Sequence, residues 1–223
     1  MEQSLISKIV RRKRRTLALH IASDASLVVR APGMVSEETI RRVVQAKMPW
    51  ILEKQRLARE TFRPPVKYVD GERFLYLGKW HKLLVVPGAS APLVFNQNEF
   101  LLSGQCLPKA NEMFKTWYKK KALAIINNRV KQYAETTGLK YTRISITNAK
   151  KRWGSCSVRG NLNFSWRLIM TPLTVVDYVI VHELTHLEEH NHSLRFWRIV
   201  RGYLPDYLQA KQWLRNNHQL LNL

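Results

Sequence analysis

The sequence predicts an α+β fold: an antiparallel sheet leads directly into a buried helix, and a smaller β-rich region comes before it. Three observations carry that expectation. Short β-prone segments divided by turn residues fill 8–31, 66–103 and 144–168. Apolar residues recur at helical spacing over 36–59, over 109–137 and beyond 172. Finally, Leu173–Val181 is apolar enough for a helix buried on most sides, and it runs straight into His182-Glu183-Leu184-Thr185-His186. Two parts are expected, 1–107 and 108–223, meeting at Pro108.

In chain order, 8–31 reads as a β-hairpin. Leu17, Leu19 and Ile21 alternate with Ala18, His20 and Ala22, then Ser23-Asp24-Ala25-Ser26 turns and Leu27-Val28-Val29 returns. The run Arg11-Arg12-Lys13-Arg14-Arg15 opens it, either as a charged edge strand or as a nucleic-acid contact. Ser36 can cap a helix whose Ile40, Val43 and Val44 share a face. Pro49 should break or kink it, Trp50-Ile51-Leu52 restarts it toward Arg59, and Pro64-Pro65 closes the unit. Between 66 and 103, Asp70-Gly71, Pro87-Gly88 and Asn96-Gln97-Asn98 separate short strands.

A long helix is expected from Lys109 to about Thr137, with Met113, Trp117, Leu123, Ile126, Val130 and Tyr133 on one broad face and Gly138 ending it. Ile144–Thr147, Arg152–Ser157 and Asn161–Leu168 then read as an antiparallel sheet, with Arg159-Gly160 as a tight turn. Thr171-Pro172 supplies a cap and a first-turn proline for the next helix, which should stop near Asn191. Ser193 can cap a further helix from Leu194 to about Tyr203. Phe196-Trp197 with Ile199 and Val200 should pack beneath the preceding one. The tail from Tyr207, through Leu208, Trp213 and Leu214, completes the core.

The chemistry concentrates in the 182–192 stretch. His182 and His186 are four apart, so on a helix they stand on one face, where two imidazoles can share a tetrahedral metal ion such as zinc. Glu183, offset by one residue, is placed to reach a water on that ion rather than the ion itself. Two ligands and a general base within five residues is the arrangement of a metallopeptidase. His190 would lie about 12 Å beyond His182 on a continuous helix, so it cannot join them and is expected at the surface. His192 follows the turn and can fold back, which gives His182, His186 and His192 as ligands with a fourth position open for water. The sheet ahead of this helix should present an edge strand to an extended substrate. Trp153, Gly154 and Ser155 are the expected contacts, with Gly154 permitting close backbone approach. Cys156 is expected as a small buried residue. Tyr178, one turn before His182, is expected to pack, and Arg152 and Arg195 are candidate oxyanion partners that spacing does not separate.

Composition bounds the partners. Apolar residues make up 45% of the 223, enough to bury a core, and no run of 18 exists to span a membrane. Two cysteines and no apolar leader after the basic run fit a cytoplasmic protein. The net charge is +21 with a pI near 10.4. From Lys109 to Arg167 there are fourteen Lys and Arg against two acids, while Leu168–Leu194 holds four acids and no Lys or Arg. This favours DNA or another polyanion as a partner, or else a generally solubilising basic surface.

Taken together, Arg152-Trp153-Gly154-Ser155-Cys156, Trp166-Arg167-Leu168, Asp177 through His186, Asn191-His192-Ser193 and Phe196-Trp197 resemble the YgjP-like metallopeptidases, which are similar to the SprT/Spartan proteases. The resemblance covers nearly the whole chain, including Val29-Arg30-Ala31-Pro32. It implies a zincin-like domain with zinc on His182, His186 and His192, and Glu183 as base. It also implies a protein or peptide substrate and, through the Spartan branch, action near DNA. The alternative is a basic nucleic-acid-binding protein with a structural or vestigial zinc site.

Overall fold

A computed structural model describes residues 5–22, 24–61, 66–217 and 220–221. The chain divides into two compact units, 1–64 and 65–223.

In the first unit, β1 (Ile6–Arg11), β2 (Ala18–Ile21) and β3 (Leu27–Ala31) form a sheet in the order β1-β3-β2. Only β2 and β3 make the expected hairpin. Residues 8–11 belong to a separate strand, which pairs parallel to β3 on its other side. Parallel pairing needs a long crossover, and the segment 12–26, with β2 inside it, provides one. Leu27, Val29 and Ala31 point inward and meet Ile40, Val44 and Ile51 of α1 (Glu37–Ala46) and α2 (Met48–Thr61). Ser36 caps α1 as expected, its hydroxyl accepting from the Thr39 amide at 3.2 Å. Pro49 sits in the first turn of α2, where a missing N–H is harmless. Ser23 and Pro64-Pro65 lie outside the described residues.

The second unit opens with a four-stranded sheet, β4 (Arg73–Tyr76), β5 (Lys79–Val86), β6 (Leu93–Asn96) and β7 (Glu99–Ser103), in the order β4-β5-β7-β6. Aromatic residues tie this sheet to α3 (Ala110–Thr137). Phe114 stacks on Phe74 at 4.0 Å and lies 5.1 Å from Phe100, and the Tyr118 hydroxyl donates to the Leu75 carbonyl at 2.8 Å. The expected boundary at Pro108 therefore falls inside one continuous core, and the division comes at 64/65 instead. The fully buried line of α3 is Phe114, Tyr118, Ala122, Ile126 and Val130, whereas Leu123 is exposed. Facing this sheet favours the ring-bearing positions one residue out of phase with the expected Met113 and Trp117, which flank the line half-buried. Gly138 ends the helix in the left-handed conformation at φ 71°.

A second sheet follows, β8 (Arg143–Thr147), β9 (Gly154–Cys156) and β10 (Asn161–Ser165), in the order β8-β10-β9. β9 pairs antiparallel to β10, but β8 pairs parallel to it, so the sheet is mixed rather than antiparallel. The loop 148–153 between β8 and β9 gives the chain room to reverse. That loop is held from below. Trp166 Nε1 and Arg167 Nη1 both donate to Asn148 Oδ1, at 2.9 and 3.0 Å, and the Ser165 hydroxyl donates to the Ala149 carbonyl at 2.7 Å. After a short 3-10 helix at Trp166–Met170 come α4 (Leu173–Thr185), α5 (Leu194–Tyr203) and α6 (Tyr207–Asn217). Thr171 does not cap α4. Its hydroxyl turns back to the Leu168 carbonyl, and Pro172 occupies the cap position. Leu208 is exposed while Ala210 and Leu214 face the core, so the buried side of α6 lies away from Leu208.

Candidate metal centre and active site

α4 is buried along nearly its whole length because Val175, Val176, Val179, Ile180 and Val181 leave it no polar face. Its one charged residue in that stretch, Asp177, forms a two-pronged ion pair with Arg129 of α3, including Nε to Oδ1 at 2.6 Å. The helix therefore delivers its C-terminal end to a fixed place.

That end comes earlier than expected. α4 stops at Thr185, with His186 as its cap, and does not reach Asn191. The amides of Leu187 and Glu188 bond three residues back, to Leu184 and Thr185, which tightens the chain out of the α-helix. His186 Nδ1 lies 3.1 Å from the Glu189 carbonyl and, as a donor to it, closes the turn. The chain then reverses and α5 begins on a Ser193 cap, its hydroxyl accepting from the Phe196 amide at 3.2 Å.

The reversal brings His192 over the helix end. The rings of His182, His186 and His192 have centroids 4.8–5.0 Å apart, and one nitrogen from each lies within 4.8 Å of the others. His182 Nε2 and His192 Nε2 are 3.0 Å apart. Tetrahedral zinc with bonds of ~2.0–2.1 Å holds ligand nitrogens about 3.3 Å from one another, so the His182–His192 pair is already near ligand spacing and the donor set fits zinc once the remaining nitrogens draw in. The contact with the Glu189 carbonyl fixes the His186 tautomer and turns its Nε2 toward the cluster. Phe196 forms the floor, 4.7–4.9 Å from all three imidazoles and fully buried. Trp197 flanks His182 and His192, with Lys211 Nζ 4.1 Å above its ring. His190 is exposed and outside the cluster.

Electrostatics favour neutral imidazoles. Burial pushes His182 down to about 3, helped by His186, His192 and Lys211. Burial also lowers His186. Neutral rings present lone pairs, which a cation needs. His182 Nδ1 is buried and has no hydrogen-bond partner among the described residues.

Glu183 is only 6% exposed, and burial raises its carboxyl to about 7, against the opposing pulls of Arg152 and the Cys156 amide. It lies against β9: a Cβ built on Gly154 would come within 2.6 Å of both its Cγ and its Oε1. Gly154 and Ser155 are on this edge strand as expected, and Trp153 precedes it half-buried. Of the two arginines that spacing left open, Arg195 is engaged with Glu188 at 2.9 Å, whereas the charge of Arg152 acts on Glu183. Tyr178 packs between His182 and Tyr207. Cys156 carries a free, half-buried thiol, raised by burial and by Glu183.

The sequence reading did not include Asn148, which anchors the loop entering β9, or the Cys156 amide that acts on Glu183. Backbone donors carry no side-chain signal, and Asn148 has partners only in three dimensions.

Among solved structures, the crystal structure of the metallopeptidase zymogen of Pyrococcus abyssi abylysin matches 40% of this chain and 90% of its own, at 19% identity and a TM-score of 0.38. No curated protein matches. Residues 15–217 match the YgjP-like metallopeptidase domain, nearly the full length of the sequence. The chain belongs to the YgjP-like metallopeptidase family.

Proposed function

We propose that the chain is a zinc-dependent, zincin-like peptidase in which His182, His186 and His192 hold the ion and Glu183 is the general base. One observation carries the reading: three imidazole nitrogens converge within 4.8 Å beside a carboxylate that is buried without a full counter-charge. A bound zinc ion supplies Lewis acidity, acidifying a water and polarising a scissile carbonyl.

The rest falls to the protein. With its carboxyl near 7, Glu183 takes a proton from the attacking water and returns it to the amine nitrogen of the leaving group. The cation's own charge favours its ionised form at neutral pH. Arg152 adds positive charge that favours the ionised form of the Glu183 carboxyl. β9, at the edge of its sheet, is the element on which an extended peptide substrate can lie, alongside Trp153, Gly154 and Ser155.

The basic surface enters this reading as a site for DNA or another polyanion. Lys150, Lys151 and Arg152 are exposed and lead directly into β9. The same charge of +21 favours a second reading, a nucleic-acid-binding protein with a structural zinc. Against that stand a cluster of three ligands rather than four among the described residues and a buried glutamate that a structural site does not need.

The deciding experiment is cleavage of a DNA-bound protein substrate by zinc-loaded protein, with and without single-stranded DNA, with Glu183→Gln as control. The expected outcome is hydrolysis by the wild type alone, stimulated by DNA. Cleavage indifferent to DNA keeps the peptidase and makes the charge incidental. DNA binding with no cleavage under any condition moves the function to the second reading.

A further inference from the structure

A glycine inside a strand weakens it, so its presence at 154 needs a reason. Backbone conformation is not that reason. The φ of Gly154 lies outside the left-handed region, unlike those of Gly71, Gly78, Gly88, Gly138 and Gly160. The space is taken instead: an added Cβ would meet Glu183 Cγ and Oε1 at 2.6 Å and Cδ at 2.8 Å. Among the described glycines, only Gly154 has a titratable side chain this close.

Strand pairing explains why Glu183 lies there. β9 uses the Trp153 carbonyl and the Ser157 amide to pair toward β10, bonding Ser165 at 2.8 Å and Asn161 at 3.0 Å. Alternation then turns the amides of Gly154 and Cys156 to the outer edge of the sheet. Glu183 lies against that edge, near enough to the Cys156 amide for it to pull the carboxyl downward. The strand itself cannot retreat easily, because its entry loop is pinned to Trp166 and Arg167 through Asn148.

We propose that Gly154 is a positioning residue for Glu183: its missing side chain leaves the slot that holds the carboxylate against β9. This rests on the reading of Glu183 as general base. An alanine at 154 leaves the helix and strand in place and evicts the flexible partner, the Glu183 side chain, from its working position.

The test is a pair of mutant cycles on the full chain. Gly154→Ala in zinc-loaded protein should lower kcat on the order of 100-fold with little change in KM, the effect of displacing a reacting group by about 1 Å. In a Glu183→Ala background, which removes Cγ and the carboxyl that the added methyl would meet, the same substitution should change the residual kcat by less than about threefold. A readout that needs neither metal nor turnover comes from the melting temperature of the metal-free protein. Gly154→Ala should lower it with Glu183 present and leave it nearly unchanged in Glu183→Ala. If the single variant fails to fold, recovery of folded protein in the double variant supports the proposal, and loss of both overturns it. Equal losses in both backgrounds overturn it, as does a rise in KM with kcat intact, which would assign Gly154 to substrate pairing. Activity retained by Glu183→Gln would remove the general base while leaving the stability coupling to report the contact alone.

Discussion

Asp177 and Glu183 are carboxylates on the same helix, six residues or about one and two-thirds turns apart, and each is 6% exposed. Their surroundings differ. Asp177 faces the Arg129 guanidinium in a two-pronged pair that joins α4 to α3. Glu183 has one backbone amide and the distant charge of an exposed arginine, and burial lifts it to about 7. Equal burial thus gives two roles. A buried carboxylate with a full counter-ion fixes a helix, and one denied it holds a proton loosely enough to exchange near neutral pH.

The widest separation between the two should come from neutralising each. Glu183→Gln is expected to reduce peptide hydrolysis by about 1,000-fold or more while zinc content, measured by atomic absorption, stays near one per chain. Asp177→Asn should leave turnover per folded molecule within about threefold and instead lower stability by about 2–4 kcal/mol in urea unfolding, a value at the low end for buried pairs because Arg129 is 31% exposed. Loss of turnover without loss of stability in Asp177→Asn would break the contrast.

Metal removal probes the next difference. In metal-free protein, Glu183 has a folded value near 7, above its ordinary 4.5, so its contribution to stability is complete below about 4.5 and is lost as pH rises through 7. His182 runs the other way. Its folded value near 3 lies below 6.5, so its contribution is present above 6.5 and is lost as pH falls toward 3. Metal-free protein should therefore be squeezed from both sides. At pH 8, Glu183→Gln should be more stable than wild type by about 2–3 kcal/mol, a difference that shrinks to nothing by pH 4. A difference independent of pH would mean the carboxyl is not held unfavourably.

What the sequence revealed follows the same division. The His182–His186 spacing and the reach of His192 were legible because helical period and chain reversal fix them locally. The early stop of α4 was not, since it depends on the His186 contact with the Glu189 carbonyl, which forms only once the turn exists. The buried line of α3 is legible at Ile126 and Val130, but its first half lies one residue away from Met113 and Trp117 because Phe114 and Tyr118 answer to Phe74 and Leu75, some forty residues away. The parallel pairing of β8 with β10 has no local signature either, and a loop of six residues looks like any hairpin connection until Asn148 finds Trp166 and Arg167. Gly154 was legible as a site of close approach. That the approaching group is Glu183 was not.

The smallest expected effect refines the contrast rather than testing it. Arg152 is exposed, so its charge reaches Glu183 through screening solvent and cannot do for it what Arg129 does for Asp177. Arg152→Ala should lower kcat by about three- to tenfold and move the acid limb of the kcat/KM profile to higher pH, because an influence that favours the carboxylate is gone. Both changes should fade when the wild type is assayed at 1 M salt, where the Debye length falls to about 3 Å. A salt-independent loss of 100-fold or more would instead make Arg152 a direct contact of the substrate carbonyl, and the field at Glu183 would then be a by-product of that placement.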